Sequence, residues 1–325
     1  MKTRFAFAGF RHAHVLDLLA GVKERADAEV VACCEEDAAT RASLGVAITH
    51  TDFATMLREV ECDVIAIGDY YSRRGALAIA ALEAGRHVLG DKPLCTTLDE
   101  QTIIENLAAE KHLLVGLQLD SRDSAAFRTL REIVRGGEIG EVCTVRIDGQ
   151  HPLLSGTRPA WYFEPGKHGG TINDIGIHAF DFVPWLTGLG WRAIDSARCW
   201  NAKAREFPHF HDCAHLMATL DNGAGVLADF SYLAPDRLGY RLPHYWHVVV
   251  HGTNGLAEAH LHAEHVTVIT DASAIPEIRP VLEKRTRGYL DDFLREVRGE
   301  TCELTSRECL RVSRFALEAQ QRADR

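Results

Sequence analysis

Short apolar runs alternate with helical segments through the first third of the chain, and this alternation constrains the fold more than any other feature. The runs are RFAFAG (4–9), EVVACC (29–34), DVIAIG (63–68), HVLGD (87–91) and LLVGLQL (113–119). Continuous apolar strands joined by helices are typical of a parallel sheet covered on both faces. Residues 1 to about 120 are therefore predicted to form a doubly wound α/β domain.

The remainder of the chain has a different pattern, in which strands follow one another with few helices between them. The strand-like stretches lie at 141–149, 213–232 and 245–261. The pairs Asn222-Gly223 and Asn254-Gly255 are strong signals for tight hairpin turns. A second, α+β domain with an open and mainly antiparallel sheet is predicted for residues 121–325.

Two helix starts carry the capping-box pattern, in which a threonine is followed three residues later by a glutamate. Thr97 with Glu100 marks the first of them, and Thr305 with Glu308 marks the second. The second box predicts a last helix over about 305–321. That helix could pack back on the first domain.

Charge and composition exclude several classes of partner. The net charge of −10 disfavours nucleic acid and anionic membranes, because both require a positive surface. No apolar run approaches the ~18 residues that a membrane-spanning helix needs. Nine cysteines without a C-x-x-C pair favour reduced thiols, and hence the cytoplasm, over a disulfide framework.

The stretch GGTINDIGIHAFDFVPWLTG (169–188) contains the strongest candidate for acid–base chemistry. If it is helical, Asp174, His178 and Asp181 lie on one face. A carboxylate one turn before a histidine can fix its tautomer and raise its basicity, which suits a general base. The alternative is an amphipathic helix whose polar stripe faces water.

A second candidate is Lys92, which follows an apolar strand and precedes Pro93. It therefore lies at the carboxyl end of a strand, where open α/β sheets bind their ligands. Taken alone, the tripeptide Asp-Lys-Pro favours the alternative of a solvated surface lysine.

Several blocks together, in this order, resemble the Gfo/Idh/MocA oxidoreductases, named for glucose–fructose oxidoreductase and inositol dehydrogenase. The blocks are AIAALEAGRHVLGDKPLCTT, similar to the family stretch ending in E-K-P; SAAFRTLREIVRGGEIGEVCTVR; GGTINDIGIHAFDFVPWLTG, similar to G-G-x-x-x-D-x-G-x-H-x-x-D; and LDNGAGVL with HGTNGLAEA. The resemblance implies an N-terminal Rossmann domain and a C-terminal domain with an open sheet, usually forming a homodimer or homotetramer through that sheet.

The same resemblance implies the chemistry and the residues that perform it. The expected reaction moves a hydride between a nicotinamide cofactor and a secondary alcohol of a sugar, cyclitol or related polyol. Lys92, Asp174 and His178 would be the catalytic residues. The predicted substrate-binding residues are Lys92, Gln118, Trp161, Tyr162, His168, Asp174 and His178. Aromatic faces such as those of Trp161 and Tyr162 suit the C–H surfaces of sugars.

The opening loop departs from the fingerprint G-x-G-x-x-G, because Arg11 and His14 stand where two glycines are expected. Arg11 and His12 nevertheless precede a predicted helix, whose N-terminus favours anions. Glu35 follows the second strand and is placed to bind ribose hydroxyls, which favours NAD over NADP. The predicted cofactor contacts are Gly9, Phe10, Arg11, His12, Glu35, Asp69, Tyr70 and Lys92. The alternative is a nucleotide site that has been lost.

Two further departures concern the resemblance itself. Asp91 stands where the family usually has glutamate. The family's threonine-proline-asparagine stretch, with a histidine shortly after, is replaced by Asp69, Tyr70, Tyr71 and Arg74, which puts the cofactor contacts there in doubt.

The sequence is also rich in histidine, with 17 in total. Six of them fall close together, at His209, His211, His215, His244, His247 and His251. On strands, several would share a face and could bind zinc. We favour a role in lining the substrate cleft or a subunit interface, and no metal is predicted, because ligands must also converge in space.

Three alternatives to a simple dehydrogenase stay open at this point. Transient oxidation could serve a lyase or epimerase that recycles its NAD. The chain could bind sugar or nucleotide without turnover, as a regulatory protein does. It could also be a metal-dependent enzyme that uses the histidine-rich sheet.

Overall fold

The computed structural model describes residues 2–242 and 245–325. They form two compact units. The first comprises the chain up to Gln118 together with Pro159–Gly169 and Tyr289–Arg314, and the second comprises Leu119–Arg158, Gly170–Gly288 and Phe315–Arg325. A single boundary near residue 120 therefore does not describe the packing, because two later stretches join the first unit.

The first unit is built on a five-stranded, wholly parallel sheet. Its strands are β1 (Thr3–Ala8), β2 (Ala28–Cys34), β3 (Val64–Ile67), β4 (His87–Gly90) and β5 (Val115–Leu117). Their order is β2-β1-β3-β4-β5, as expected for the doubly wound fold. The strand order reverses between β1 and β3, and in such sheets ligands bind at this position, beyond the carboxyl ends of the strands.

Helices connect these strands, and two more helices follow late in the chain. The connecting helices are α1 (His14–Glu24), α2 (Ala38–Ser43), α3 (Phe53–Glu59), α4 (Tyr71–Glu83) and α5 (Leu98–Lys111), and the late ones are α8 (Gly288–Val297) and α9 (Ser306–Ala323). Both capping boxes are confirmed. The Thr97 hydroxyl accepts from Glu100 N at 3.2 Å, and the Thr305 hydroxyl accepts from Glu308 N at 3.3 Å.

The second unit is built on an eight-stranded sheet, preceded by helix α6 (Ala125–Arg135). Its strands are β6 (Val142–Pro152), β7 (Trp191–Trp200), β8 (Cys213–Leu220), β9 (Gly225–Ala234), β10 (His247–Gly252), β11 (Gly255–His260), β12 (His265–Thr270) and β13 (Glu277–Pro280). Their order is β13-β12-β11-β10-β6-β9-β8-β7. Only β6 and β9 pair in parallel among these strands, so the predicted antiparallel character and both hairpins are confirmed.

The stretch predicted to carry acid–base chemistry is helical, but it begins irregularly. A π-helix over Ile172–Gly176 runs directly into α7 (Ile177–Thr187). Gly176 lies against the sheet, where an added Cβ would come 3.0 Å from the Phe230 ring. Glycine therefore allows the close packing of this helix on β9. Short π-helical segments are frequent at functional sites.

Within the described residues, no helix is both long enough and apolar enough to cross a membrane.

Candidate active site

The turn after β1 requires glycine. Gly9 has φ +80°, and an added Cβ would lie 2.6 Å from the Cβ of Asp69. The end of β1 therefore approaches the end of β3 closely, at the point where the strand order reverses. This turn aims the following residues, Phe10 to Ala13, at the position where a doubly wound sheet binds its ligand.

Arg11 is held there between two carboxylates. Its Nε lies 3.5 Å from Glu35 Oε1 and 3.5 Å from Asp69 Oδ1, and its guanidinium lies over the Tyr70 ring. Glu35 also accepts a hydrogen bond of 2.6 Å from Phe10 N. Burial raises the pKa of Asp69 to about 6, although Arg11 opposes that shift. The structure thus brings together five of the residues predicted to contact the cofactor.

These residues fit a dinucleotide. Helix α1 begins at His14, its N-cap Ala13 makes no side-chain cap, and a helix N-terminus favours an anion such as a phosphate. Arg11 Nε is buried and makes no hydrogen bond to any described residue. Glu35 has lone pairs beyond those used by backbone N–H groups, so it can still accept from ribose hydroxyls. Arg11 would hold phosphate and Glu35 would hold ribose.

His12 has a different environment from the one predicted, because it is buried in a polar network. Its Nδ1 makes a very short contact with Asp91 Oδ2, and its Nε2 lies 3.0 Å from the Tyr162 hydroxyl. Burial lowers the pKa of His12 to about 4, even though Asp91 opposes the shift. The imidazole is therefore neutral at physiological pH. Its polar atoms are engaged by protein, so direct contact with a cofactor stays a prediction.

Asp91 is the centre of this network. Its oxygens also face Arg74 Nη2 at 2.7 Å and His14 Nδ1 at 3.2 Å. Complete burial alone would raise the pKa of Asp91, but Arg74 and the two histidines hold it well below its usual range. Asp91, which is shorter than the glutamate usual in the family, thus serves as a buried anion that connects the opening loop to the end of β4.

The predicted aromatic wall lies in the first unit, around this loop. Trp161 Nε1 donates to Arg11 O at 3.2 Å, and the Tyr162 hydroxyl lies 2.8 Å from that of Tyr71. The His168 ring packs against Tyr71 with a centroid separation of 5.3 Å. Trp161, Tyr162 and His168 therefore surround residues predicted for the cofactor, and their contact with substrate stays a prediction.

Lys92 and Gln118 end neighbouring strands of the same sheet. Lys92 follows β4 and is buried, so the alternative of a solvated surface lysine is wrong. Gln118 follows β5 and donates from Nε2 to the Tyr289 hydroxyl at 2.9 Å. Its Oε1 is buried and has no hydrogen-bond partner among the described residues, which leaves one acceptor for a ligand.

Asp174 and His178 lie in the second unit, where both are buried. The Tyr232 hydroxyl donates to Asp174 Oδ2 in a very short contact. His178 Nδ1 lies 3.3 Å from the Ser121 hydroxyl, and its ring meets Trp246 edge-on at 5.2 Å. The alternative of a polar stripe facing water is therefore wrong. Side-chain contacts from three other parts of the chain orient both groups.

Asp181 shares the helix but not this cluster. It accepts from Arg122 Nε at 3.0 Å and 3.1 Å, and both side chains are buried. This paired carboxylate anchors α7 to the chain just before α6.

Sequence reasoning missed the aromatic and hydroxyl groups around Asp174 and His178. They are Ser121, His151, Tyr232, Tyr245 and Trp246. Tyr232 carries a usable signal, since it falls near the end of a predicted hairpin strand. Burial raises the pKa of Tyr245 well above its usual value, so it stays a neutral hydrogen-bonding group.

The start of the π-helix that carries Asp174 is capped by a side chain of α9. Thr171 gives no side-chain cap, but Gln320 Oε1 accepts from Ile172 N at 2.9 Å and from Asn173 N at 3.4 Å. Gly170 makes room for this contact, because an added Cβ would lie 2.1 Å from Gln320 Cδ. Helix α9 thus holds the segment that carries Asp174.

The histidine-rich sheet does not form a metal site within residues 2–242 and 245–325. His215 lies on β8, His247 and His251 lie on β10, and His209 and His211 precede β8; His244 lies outside the described residues. The grouping that does occur joins His12, His14 and Asp91. Arg74 bonds the same carboxylate, and the N-terminus of α1 is also positive, so this position disfavours a cation.

Comparison with known proteins shows that the chain is an oxidoreductase. Residues 4–119 match the model of an oxidoreductase family with an NAD-binding Rossmann fold, and residues 127–258 match the GFO/IDH/MocA C-terminal domain. The chain belongs to the Gfo/Idh/MocA family.

Individual relatives are distant. The uncharacterized oxidoreductase YrbE of Bacillus subtilis is 27% identical over 282 residues, which cover 83% of this chain and 79% of the relative. The scyllo-inositol 2-dehydrogenase (NADP(+)) IolW of the same species is 25% identical over 154 residues, which cover 46% and 43%. The match spans less than half the length of several such relatives.

A solved structure shows the same fold. It is an inositol dehydrogenase homologue from Azotobacter vinelandii, complexed with NADH and myo-inositol. Its TM-score is 0.80 at 17% identity, with 100% of this chain and 96% of that chain covered.

The cap from Gln320 predicts a loss of stability when its acceptor oxygen is removed. Gln320→Met leaves two buried N–H groups without their partner, so the free energy of unfolding should fall by about 1–3 kcal/mol. Gln320→Glu keeps an acceptor and should lose less. Urea unfolding of the three proteins measures this, and equal stability of the Met and Glu variants would contradict the cap.

The buried neutral His12 predicts a pH dependence of stability. Its pKa is about 4 in the folded chain against 6.5 as the ordinary value, so the unfolded chain binds the proton more readily. The free energy of unfolding should therefore decrease from pH 6.5 to pH 4, on the order of 2–3 kcal/mol.

The matched comparison is with His12→Asn, in which the contribution of His12 to the fall in the free energy of unfolding should be absent. Asp69, with its raised pKa of about 6, contributes with the opposite sign, because its folded form takes up a proton there. That contribution stays in both proteins and cancels in the difference. His209→Asn, at an exposed position, serves as control. Parallel wild-type and His12→Asn curves would rule out the assignment.

Proposed function

We propose that this chain is an NAD-dependent dehydrogenase acting on a secondary alcohol of a sugar, cyclitol or related polyol. The observation that carries the proposal is the buried and oriented pair Asp174 and His178, in a chain of this family. Buried acid–base groups held by specific partners are a mark of functional sites. A dehydrogenase also requires a cofactor site, for which Arg11 and Glu35 are the proposed nucleotide-binding residues.

Within this proposal, His178 is the proton acceptor. If its Nδ1–H donates to Ser121, the other ring nitrogen carries the basic lone pair. Asp174 accepts from the Tyr232 hydroxyl, and in this proposal its carboxylate would also accept from a substrate hydroxyl. Lys92 supplies an ammonium group that can hold the reacting oxygen or share its proton. A bound nicotinamide cofactor would supply the hydride acceptor.

The choice of NAD over NADP rests on the charges around Arg11. One guanidinium there faces two carboxylates, those of Glu35 and Asp69. An additional 2′-phosphate would meet this negative pair, whereas ribose hydroxyls can donate to it. The proposal therefore assigns NAD, although one relative is named for NADP.

A second candidate function is ligand binding without turnover. The ion pairs of Arg11 with Glu35 and Asp69 favour it, because both carboxylates compete with a phosphate for the guanidinium. A redox-assisted lyase or epimerase with recycled NAD is a variant of the enzymatic proposal. The homo-oligomer through the second sheet and the cytoplasmic location stay predictions.

Titration calorimetry with NAD and NADP tests the cofactor assignment. NAD should bind more tightly than NADP. Arg11→Ala should weaken NAD roughly tenfold or more, because it removes a charge-assisted bond to phosphate. Arg58→Ala, an exposed arginine on α3, is the matched control and should bind normally. If neither nucleotide binds, the dehydrogenase proposal fails, and ligand binding without turnover is the candidate function that remains.

A screen of polyols with NAD tests the reaction. NADH should accumulate one for one with oxidised product, and His178→Asn should lower kcat by about 10²–10⁴-fold. His265→Asn, which replaces an exposed histidine on β12, is the control. Product without NADH accumulation would indicate the lyase or epimerase variant, and full activity of His178→Asn would refute its role.

A further inference from the structure

Arg74 is an arginine with almost no access to solvent. It lies in the first turn of α4, and only 1% of its surface is exposed. Arginine is seldom buried to this degree unless its donors are fully used. Arg74 is one of the residues that stand where the family usually has its threonine-proline-asparagine stretch and the histidine after it.

Its guanidinium wraps around the turn that carries Lys92. Nη1 donates to Asp91 O at 2.9 Å and to Pro93 O at 3.1 Å, which are the carbonyls on either side of Lys92. Nη2 donates to the Asp91 carboxylate at 2.7 Å. Nε donates to Asp69 O at 2.7 Å, at the end of the neighbouring strand β3.

The position of the guanidinium is itself fixed. Its plane lies over the Tyr71 ring, 4.6 Å from the centroid. Asp91 also contacts His12 of the opening loop and His14, the first residue of α1. One buried group therefore connects the ends of β3 and β4 and, through Asp91, the loop at the start of α1.

We propose that Arg74 is a positioning residue that holds the main chain on both sides of Lys92 and so fixes where the lysine side chain begins. This inference rests on the proposed function for the role of Lys92, whereas the contacts of Arg74 do not depend on that function. All atoms involved belong to the first unit.

The simpler explanation is that Arg74 only neutralises the buried Asp91. Neutralisation requires one ion pair, and a lysine could supply it. Three of the four bonds go instead to main-chain carbonyl oxygens, and two of those flank Lys92. Such a set needs the rigid, planar fork of arginine, which an ammonium cannot reproduce.

Arg74→Lys and Arg74→Met separate the two explanations. The lysine variant keeps the charge beside Asp91 and the methionine variant removes it, while both remove the fork. Arg58→Met, at an exposed position on α3, is the matched control. Because the methionine variant leaves Asp91 unpaired and could fail to fold, the lysine variant is the deciding one, once circular dichroism shows it to be folded.

The first readout does not depend on turnover. Acetylation of Lys92 by acetic anhydride is followed by peptide mass spectrometry, with the exposed Lys111 as internal standard. In wild type Lys92 should react slowly, because only 5% of its surface is exposed. Its rate should rise several-fold in Arg74→Lys while Lys111 is unchanged. A wild-type rate for Lys92 in folded Arg74→Lys would overturn the proposal.

The second readout is kinetic, with a polyol that the wild type oxidises. In Arg74→Lys, kcat should fall about tenfold or more, because small misplacement of a reacting group is costly. The KM for the polyol and the Kd for NAD should change little. Unchanged kcat, or a loss confined to NAD binding, would also overturn the proposal. If the wild type oxidises no polyol, the proposed function fails, and the acetylation rates still decide whether Arg74 holds Lys92.

Discussion

The carboxylate of Asp91 is the interaction on which the first cluster depends. It is fully buried, and it stays ionised only because Arg74, His12 and His14 surround it. Removing an ion from water costs several kcal/mol unless partners replace the lost solvation. The three partners come from the first turn of α4, the loop before α1 and the first residue of α1. The conformations of the opening loop and of the Lys92 turn therefore both depend on the Asp91 carboxylate.

Much of the fold could be predicted because its signals are local. Apolar runs, capping boxes such as Thr305 with Glu308, and Asn-Gly turns each act within a few residues, and the structure contains the elements that they predict. The position of Lys92 at a strand end follows from the same logic. The pair Asp174 and His178 could be proposed from helical spacing, although the π-helix before α7 could not.

The partners of these residues could not be predicted, because they are set by tertiary packing. Tyr232 is 58 residues from Asp174, and Ser121 is 57 residues from His178. Arg74 departs from the family pattern, and only the folded chain shows that its fork spans Asp91 O and Pro93 O. Arg11 likewise replaced a glycine, and its two carboxylate partners come from other strand ends.

The first unit is assembled from three separate stretches of chain, and this has a consequence for how such proteins can be recombined. A fragment ending at Gln118 would contain His12 and Gln101 but would lack Tyr162, which contacts the imidazole, and Ser313, which donates to the amide. An exchange of nucleotide-binding parts between relatives must therefore carry Pro159–Gly169 and Tyr289–Arg314 along with the N-terminal block. A chimera joined at a single point would contain strands β1 to β5 of one relative, but their buried polar groups would contact residues of the other relative.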